Sequence, residues 1–105
     1  MTIHDQYIDL KRENPSALLL MKIGDFYEAF DSGAGNLAQV CDLILTERRT
    51  KNGEKYQMSG FPYHRLESNI DKLVKNGYTV AVAEQRAGSG TVERYIRRVI
   101  REVAR

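Results

Sequence analysis

The feature that most constrains the fold is a run of five apolar residues, Ala17–Met21, that is followed closely by Gly24. An apolar run of this length, closed by a glycine, is typical of a buried strand that leads into a turn or bulge. A second nearly all-apolar stretch, Tyr78–Ala83, predicts another strand with a central position in a sheet. The chain is therefore expected to build its core around a β-sheet.

Three helical segments are predicted to alternate with the strands. The first is capped at Thr2 and ends before Pro15, which cannot continue a helix and restricts the residue before it. The second begins after a cap at Asp31 or Ser32. The third is expected to open within Gly60–His64, because a proline in that stretch suits the first turn of a helix.

The remaining segments favour extended structure. Leu43–Thr46 and Tyr56–Ser59 have the composition of strands, and Asn52-Gly53 between them is a strong turn signal, which predicts a hairpin. These elements together predict one α/β (mixed α+β) domain over residues 1–105, with a mixed central sheet of about five to six strands flanked by about three helices.

The last segment, Val92–Val103, fits two structures. As a strand it places Ile96, Arg98 and Ile100 on one face, whereas its apolar residues also fit the stripe of a helix. We expect a strand at its start, after a flexible loop at Ala87–Gly90.

Composition limits the class of protein. The length of 105 residues fits one domain, and a single cysteine, Cys41, excludes an internal disulfide and fits a reducing compartment. No secretion signal is visible and no apolar stretch approaches the roughly 18 residues of a membrane span, so we expect a cytoplasmic protein without membrane contact. The net charge is only +2, but residues 94–105 hold five arginines against Glu102, a local net charge of +4 that permits contact with nucleic acid.

The five residues Gly24–Glu28 suggest a binding function. If the chain continues extended after the glycine, Phe26 and Glu28 point to the same face, because side chains in a strand alternate with period two. The ring could then stack on a flat group such as a nucleobase while the carboxylate hydrogen-bonds its edge. The alternative is a core phenylalanine next to a solvated acid, and the pentapeptide alone leaves both open.

Common catalytic and metal-binding patterns are missing from the sequence. It has no P-loop and no nucleophile elbow, and His4, His64 and Cys41 are too far apart in sequence to suggest a zinc site. The Asp-x-Lys sequence of Asp9–Lys11 falls on the predicted first helix, not on a strand as in two-metal nucleases. We therefore expect a non-enzymatic protein with no metal and no cofactor.

Several motifs along the chain resemble the N-terminal mismatch-recognition domain of the bacterial DNA mismatch repair protein MutS. Each fragment is weak alone, but they follow the family's order through nearly the whole chain. They are Gln6-Tyr7 with Leu10-Lys11, Gly24–Glu28, Leu45-Thr46 with Arg48, Met58 with Gly60 and Pro62–His64, Lys72–Val74 with Gly77, Val80-Ala81 with Glu84-Gln85, and Val92–Arg94.

The resemblance implies a mixed α/β domain that probes double-stranded DNA from the minor groove. Phe26 would wedge in and stack on a mispaired or unpaired base, and Glu28 would hydrogen-bond that base. Desolvation and nearby phosphates would raise the pKa of the Glu28 carboxyl. The expected partners are DNA with a mismatch or small loop and other repair proteins, and a DNA-bound molecule would lie in the bacterial nucleoid.

The resemblance also suggests further candidate DNA contacts, for which a structural role or a solvated surface is the alternative. They are Lys22, Asp25, Arg48, Arg49, Lys51, Met58, Ser59 and Gly60. Some positions depart from the family pattern: Glu47 stands where a basic residue is usual, and Gln57 and Ser59 replace proline and alanine.

The sequence ends at Arg105, before the family's connector, core, clamp and ATPase domains, so no ATP site is expected in this chain. Three hypotheses remain open at this level. The chain is a mismatch-recognition-like DNA-binding module, an interaction protein that keeps the fold and binds or antagonises repair proteins, or a small nuclease.

Overall fold

The computed structural model describes residues 2–87 and 92–101, which form a three-layer α/β/α arrangement around one sheet. The helices and strands in chain order are α1 Ile3–Glu13, β1 Leu18–Ile23, β2 Phe26–Phe30, α2 Ser32–Cys41, β3 Thr46–Arg49, β4 Lys55–Pro62, α3 Leu66–Lys75, β5 Val80–Ala87 and β6 Val92–Ile100, with a 3₁₀ turn at Tyr63–Arg65.

The six strands of the described residues form a mixed sheet in the order β3-β4-β2-β1-β5-β6. Strands β1 and β5 are parallel neighbours, and the other neighbouring pairs are antiparallel. The predicted mixed α/β sheet with three helices is confirmed. The two apolar runs, now β1 and β5, lie inside the sheet, because strands that are apolar on both faces need a helix layer on each side.

Each face of the sheet has its own core. Leu18 and Leu20 of β1 pack with Leu37 of α2 and Leu73 of α3 on one face, which we call the α2/α3 face. Leu19 and Met21 of the same strand pack on the other face against Tyr7 and Leu10, and we call this the α1 face. The alternation along β1 therefore fixes which helix covers which side.

Local signals define the ends of α1 and α3 as predicted. The Thr2 hydroxyl accepts the Asp5 amide at 3.0 Å while the Asp5 carboxylate accepts the Thr2 amide at 3.1 Å, which is a capping box. Helix α1 ends at Glu13, two residues before Pro15. Helix α3 ends before Gly77. This residue has a φ of 90°, a conformation that glycine adopts at little conformational cost.

Two predicted boundaries are wrong. Strand β4 continues through Gly60 to Pro62, and α3 begins only at Leu66. Pairing with β2, in which Glu28 lies opposite Gly60 and Phe26 opposite Pro62, outweighs the local preference of proline for a helix start.

The predicted strand at Leu43–Thr46 is also wrong except for Thr46, which begins β3. Asp42 ends α2 in the left-handed conformation with φ 55°, and the Leu43 amide bonds back to the Ala38 carbonyl. The chain therefore turns where its composition favoured a strand, and residues 43–45 form a loop.

The strand predicted at the start of the last segment is confirmed as β6. However, Ile96, Arg98 and Ile100 do not all share one face as expected. The pairing of β6 with β5 shifts between Arg98 and Ile96, so Arg97 is an extra residue. Ile100 packs on the α2/α3 face and Ile96 on the α1 face, because a bulge reverses the alternation. Ala87 ends β5, whereas Gly88–Gly90 of the predicted loop and Glu102–Val103 lie outside the described residues.

No helix in the described ranges is long and apolar enough to cross a membrane.

We predict that Tyr7→Phe lowers the free energy of unfolding by about 1 kcal/mol, because it removes a buried hydrogen bond. The Tyr7 hydroxyl donates to the Leu19 carbonyl at 2.8 Å and joins α1 to β1. Urea denaturation measures the change, with Tyr63→Phe as the control because that ring is 56% exposed. Equal stability of both variants would contradict a structural role for the Tyr7 hydroxyl.

Candidate functional site

Successive residues after the β1–β2 turn face opposite sides of the sheet. Gly24-Asp25 form a two-residue connection, with Gly24 at φ 58°, and Ile23 pairs directly with Phe26. Phe26 is 44% exposed and Glu28 is half-buried, whereas Tyr27 between them is 5% exposed in the core of the α2/α3 face. The register of β2 therefore agrees with the expectation that Phe26 and Glu28 share one face.

Phe26 and Glu28 line one open pocket of about 450 Å³. Its other walls come from the middle of β4, from β3 and from the loop after α2, and are formed by Asp42, Leu43, Ile44, Thr46, Arg48, Met58, Ser59 and Gly60. The pocket is an open groove beside a partly exposed ring, so a flat ligand group can reach both Phe26 and Glu28.

The Glu28 carboxyl group lies directly over Gly60 on β4. A Cβ atom built at Gly60 would be 2.5 Å from Glu28 Cδ and 2.6 and 2.7 Å from the two carboxylate oxygens. These distances are far shorter than van der Waals contact, so the Glu28 side chain occupies the space that a side chain at residue 60 would need.

The electrostatic environment of Glu28 disfavours its charged form. Burial raises the pKa of the Glu28 carboxyl above its ordinary value, and the positive charge of Arg48 only partly offsets this rise. The Glu28 carboxyl is therefore partly desolvated in the free protein, whereas the sequence led us to expect this desolvation only on contact with DNA.

Six of the predicted site residues meet at this pocket: Phe26, Glu28, Arg48, Met58, Ser59 and Gly60. Arg49 lines a neighbouring groove together with Glu28, Arg48 and Met58. Ser59 contributes to the pocket wall, but its buried hydroxyl donates to the Ile44 carbonyl at 3.0 Å and fixes the loop after α2.

Three other predicted residues lie elsewhere. The Lys22 amine is 5.4 Å from the centre of the Tyr27 ring and 5.5 Å from that of Tyr63, on the side of β1 opposite to Met21. Asp25 is exposed in the β1–β2 turn, and Lys51 in the β3–β4 turn lines a groove near the start of α1.

Two of the arginines near the C-terminus make contacts within the protein. Arg94 donates to the Lys22 carbonyl at 2.8 Å and to the Gln6 side chain at 3.0 Å, so it connects β6, β1 and α1. Arg98 forms an ion pair with Glu67 at 2.7 Å. Arg105 lies outside the described residues.

The contribution of the loop after α2 to this pocket was not predicted from the sequence. Ile44 is 79% exposed, and it borders the same pocket as Phe26. Asp42 was the available signal, since aspartate tolerates the left-handed conformation that ends a helix and starts a loop.

Residues 2–87 and 92–101 contain no group of three or more His, Cys, Asp or Glu side chains that could hold a metal ion. Cys41 is buried among the residues of the α2/α3 face, and burial raises the pKa of its thiol.

Comparison with known proteins gives one consistent match. The family model for MutS domain I matches residues 1–104. The chain is 42% identical over 99 residues to the DNA mismatch repair protein MutS of Streptococcus sanguinis (strain SK36), and 44% identical over 99 residues to the protein of that name from Lactococcus lactis subsp. cremoris (strain MG1363). Each alignment covers 90% of this chain but only 12% of the relative, so the chain spans a small part of the length of these curated relatives.

We predict that Glu28→Gln raises the melting temperature at pH 7. A carboxyl whose pKa is raised on folding ionises more readily in the unfolded chain, so stability falls as the pH rises from its ordinary value of 4.5 through the higher folded value. The gain of Glu28→Gln should therefore disappear below about pH 4, where the wild-type acid is protonated in both states.

Thermal unfolding between pH 3 and pH 8 checks this pH dependence. Glu54→Gln is the matched control, because Glu54 is exposed in the β3–β4 turn. A stability difference between Glu28→Gln and wild type that is independent of pH would contradict the proposed cause.

Proposed function

Because the chain belongs to the MutS domain I family, we propose that it binds double-stranded DNA and probes the duplex for mispaired or unpaired bases. The observation that carries this proposal is the exposed ring of Phe26 beside the half-buried carboxyl of Glu28 on one open side of the sheet. The two similar proteins described above are named for DNA mismatch repair, which supports this substrate class.

The ring of Phe26 acts as an apolar wedge. Separating two stacked base pairs costs a few kcal/mol, and this cost is lowest where pairing is already broken by a mismatch or an unpaired base. Stacking of a base on the ring returns about 1–3 kcal/mol. Insertion is therefore favoured at mismatched or unpaired positions over intact base pairs, and the protein recognises the deformability of the duplex rather than its sequence.

Glu28 increases the preference for mismatched over matched DNA. A carboxylate near phosphates is repelled and loses hydration on insertion, so it penalises binding unless a displaced base offers it a hydrogen bond. Burial in the free protein already raises the pKa of this acid, which lowers the penalty for bringing it next to DNA.

Basic side chains on β3 and in the turn after it supply the general attraction for DNA. Arg48 and Arg49 lie in the grooves around Glu28, and Lys51 lies in the turn that follows them. Contacts of this kind position a protein on the phosphate backbone and make its affinity fall with salt.

We assign no catalytic step, cofactor or metal to this chain. We propose other repair proteins as further partners.

A second candidate function is a non-catalytic interaction protein that binds or antagonises repair proteins. The observation that favours it is the exposed apolar loop, in which Ile44 is 79% and Leu45 is 41% exposed. Such a protein would form a stable complex with a repair protein while showing no preference among DNA duplexes.

We predict that Phe26→Ala weakens binding to mismatched or looped DNA roughly 5- to 150-fold, which corresponds to the loss of one stacked base. Fluorescence titration with matched, mismatched and looped duplexes at two salt concentrations measures this loss. Tyr63→Ala is the control, because it removes another exposed ring, one that lies near Lys22. Equal binding to all three duplexes that is unaffected by Phe26→Ala would refute the proposal.

We predict that Arg48→Ala weakens binding to matched and mismatched duplexes by the same factor. It should also reduce the slope of log affinity against log salt by about 0.9, the value for one lost phosphate contact. Arg12→Ala is the control, since Arg12 on α1 is paired with Asp9 at 2.7 Å. A loss confined to mismatched DNA would instead show that Arg48 acts at the mismatch, either through contact with a base or through its effect on the charge of Glu28.

A further inference from the structure

We infer that Gly60 is a positioning residue for Glu28: the missing side chain at residue 60 creates the space in which the Glu28 carboxyl group lies. This role goes beyond a DNA contact at Gly60, and its consequence for mismatch preference rests on the proposed function.

The register of the sheet places the two residues directly opposite each other. Glu28 of β2 pairs with Gly60 of β4, and paired residues in an antiparallel sheet project from the same face within about 5 Å. Any side chain at residue 60 would therefore stand beside that of Glu28. With glycine at that position, the carboxyl group folds down onto β4, where a Cβ atom would be 2.5 Å from Glu28 Cδ.

The neighbouring residues on β2 and β4 define the space over Gly60 into which the acid folds down. Phe26 and Phe30 flank Glu28 along β2, and their partners on β4 are Pro62 and Met58. Each of these four positions carries a side chain, whereas Gly60 leaves a gap between Met58 and Pro62. The gap holds the carboxyl group on the face that also carries Phe26, and both residues line one pocket, where one displaced base can meet both.

Replacing Gly60 by alanine should move the acid without unfolding the strand. Gly60 lies within a regular antiparallel pairing, so its backbone conformation is open to alanine. The atoms that the new methyl group would meet are those at the flexible end of the Glu28 side chain. The pocket beside them is open, so the carboxyl group has room to move away.

The charged groups that face the pocket are few and lie on different elements. Arg48 on β3 lowers the pKa of Glu28, Arg49 lines the adjoining groove, and Asp42, which follows α2, also lines the pocket. Burial remains the largest influence on Glu28. A carboxyl group displaced from β4 toward water should therefore titrate at a lower pH than in the wild type.

The first test needs no DNA. The Glu28 carboxyl ¹³C signal, assigned by its absence in Glu28→Gln, is titrated in the wild type and in Gly60→Ala. The midpoint should move to lower pH in Gly60→Ala and stay unchanged in Gly35→Ala, a control glycine with open space where a Cβ would lie. A midpoint that is unchanged or higher in Gly60→Ala would overturn the inference.

The second test measures mismatch preference in a double-mutant cycle. Gly60→Ala should reduce the ratio of mismatched to matched affinity as far as Glu28→Ala does, and Gly60→Ala should cause no further loss in the Glu28→Ala background. Additive losses would overturn a role that acts through Glu28. If wild type shows no mismatch preference, the proposed function fails, while the carboxyl titration still decides the role of Gly60.

Discussion

The direct pairing of Ile23 with Phe26 across a two-residue turn is the constraint on which the rest of the site depends. Because side chains alternate along a strand, this register sends Tyr27 into the core and leaves Phe26 and Glu28 on the other face. A slip of one residue would reverse the three positions. The register is secured from the buried side, where the Tyr27 hydroxyl donates to Glu84 at 2.6 Å and the Tyr27 ring packs near Phe61.

The helix layer determines how much of that face remains accessible. Tyr7 and Leu10 of α1 cover Met21 and Phe30, whereas Phe26, at the opposite end of β2 from Phe30, stays 44% exposed. An exposed ring, a partly desolvated acid and an exposed Ile44 are each unfavourable for stability when considered alone. Their concentration at one pocket of an otherwise regular fold is the pattern expected of a binding site.

The sequence predicted the features that depend on near neighbours. The capping box at Thr2 and the face shared by Phe26 and Glu28 follow from spacing alone. Features that depend on pairing between strands distant in sequence could not be predicted from local spacing. Pro62 has the local signal of a helix start, but pairing with Phe26 holds it in β4, and the bulge at Arg97 arises only from the match between β5 and β6. The space over Gly60 likewise becomes visible only once Glu28 is known to lie opposite it.

We propose that the DNA contacts the side of the sheet that carries Phe26 and Glu28. Mapping backbone amide chemical shifts on addition of a duplex with one unpaired base tests this most directly. The largest saturable changes should fall on Phe26–Glu28 and Met58–Gly60, with little change at Val74 on α3. Changes centred on α3, or no saturable change at any amide, would contradict the claim.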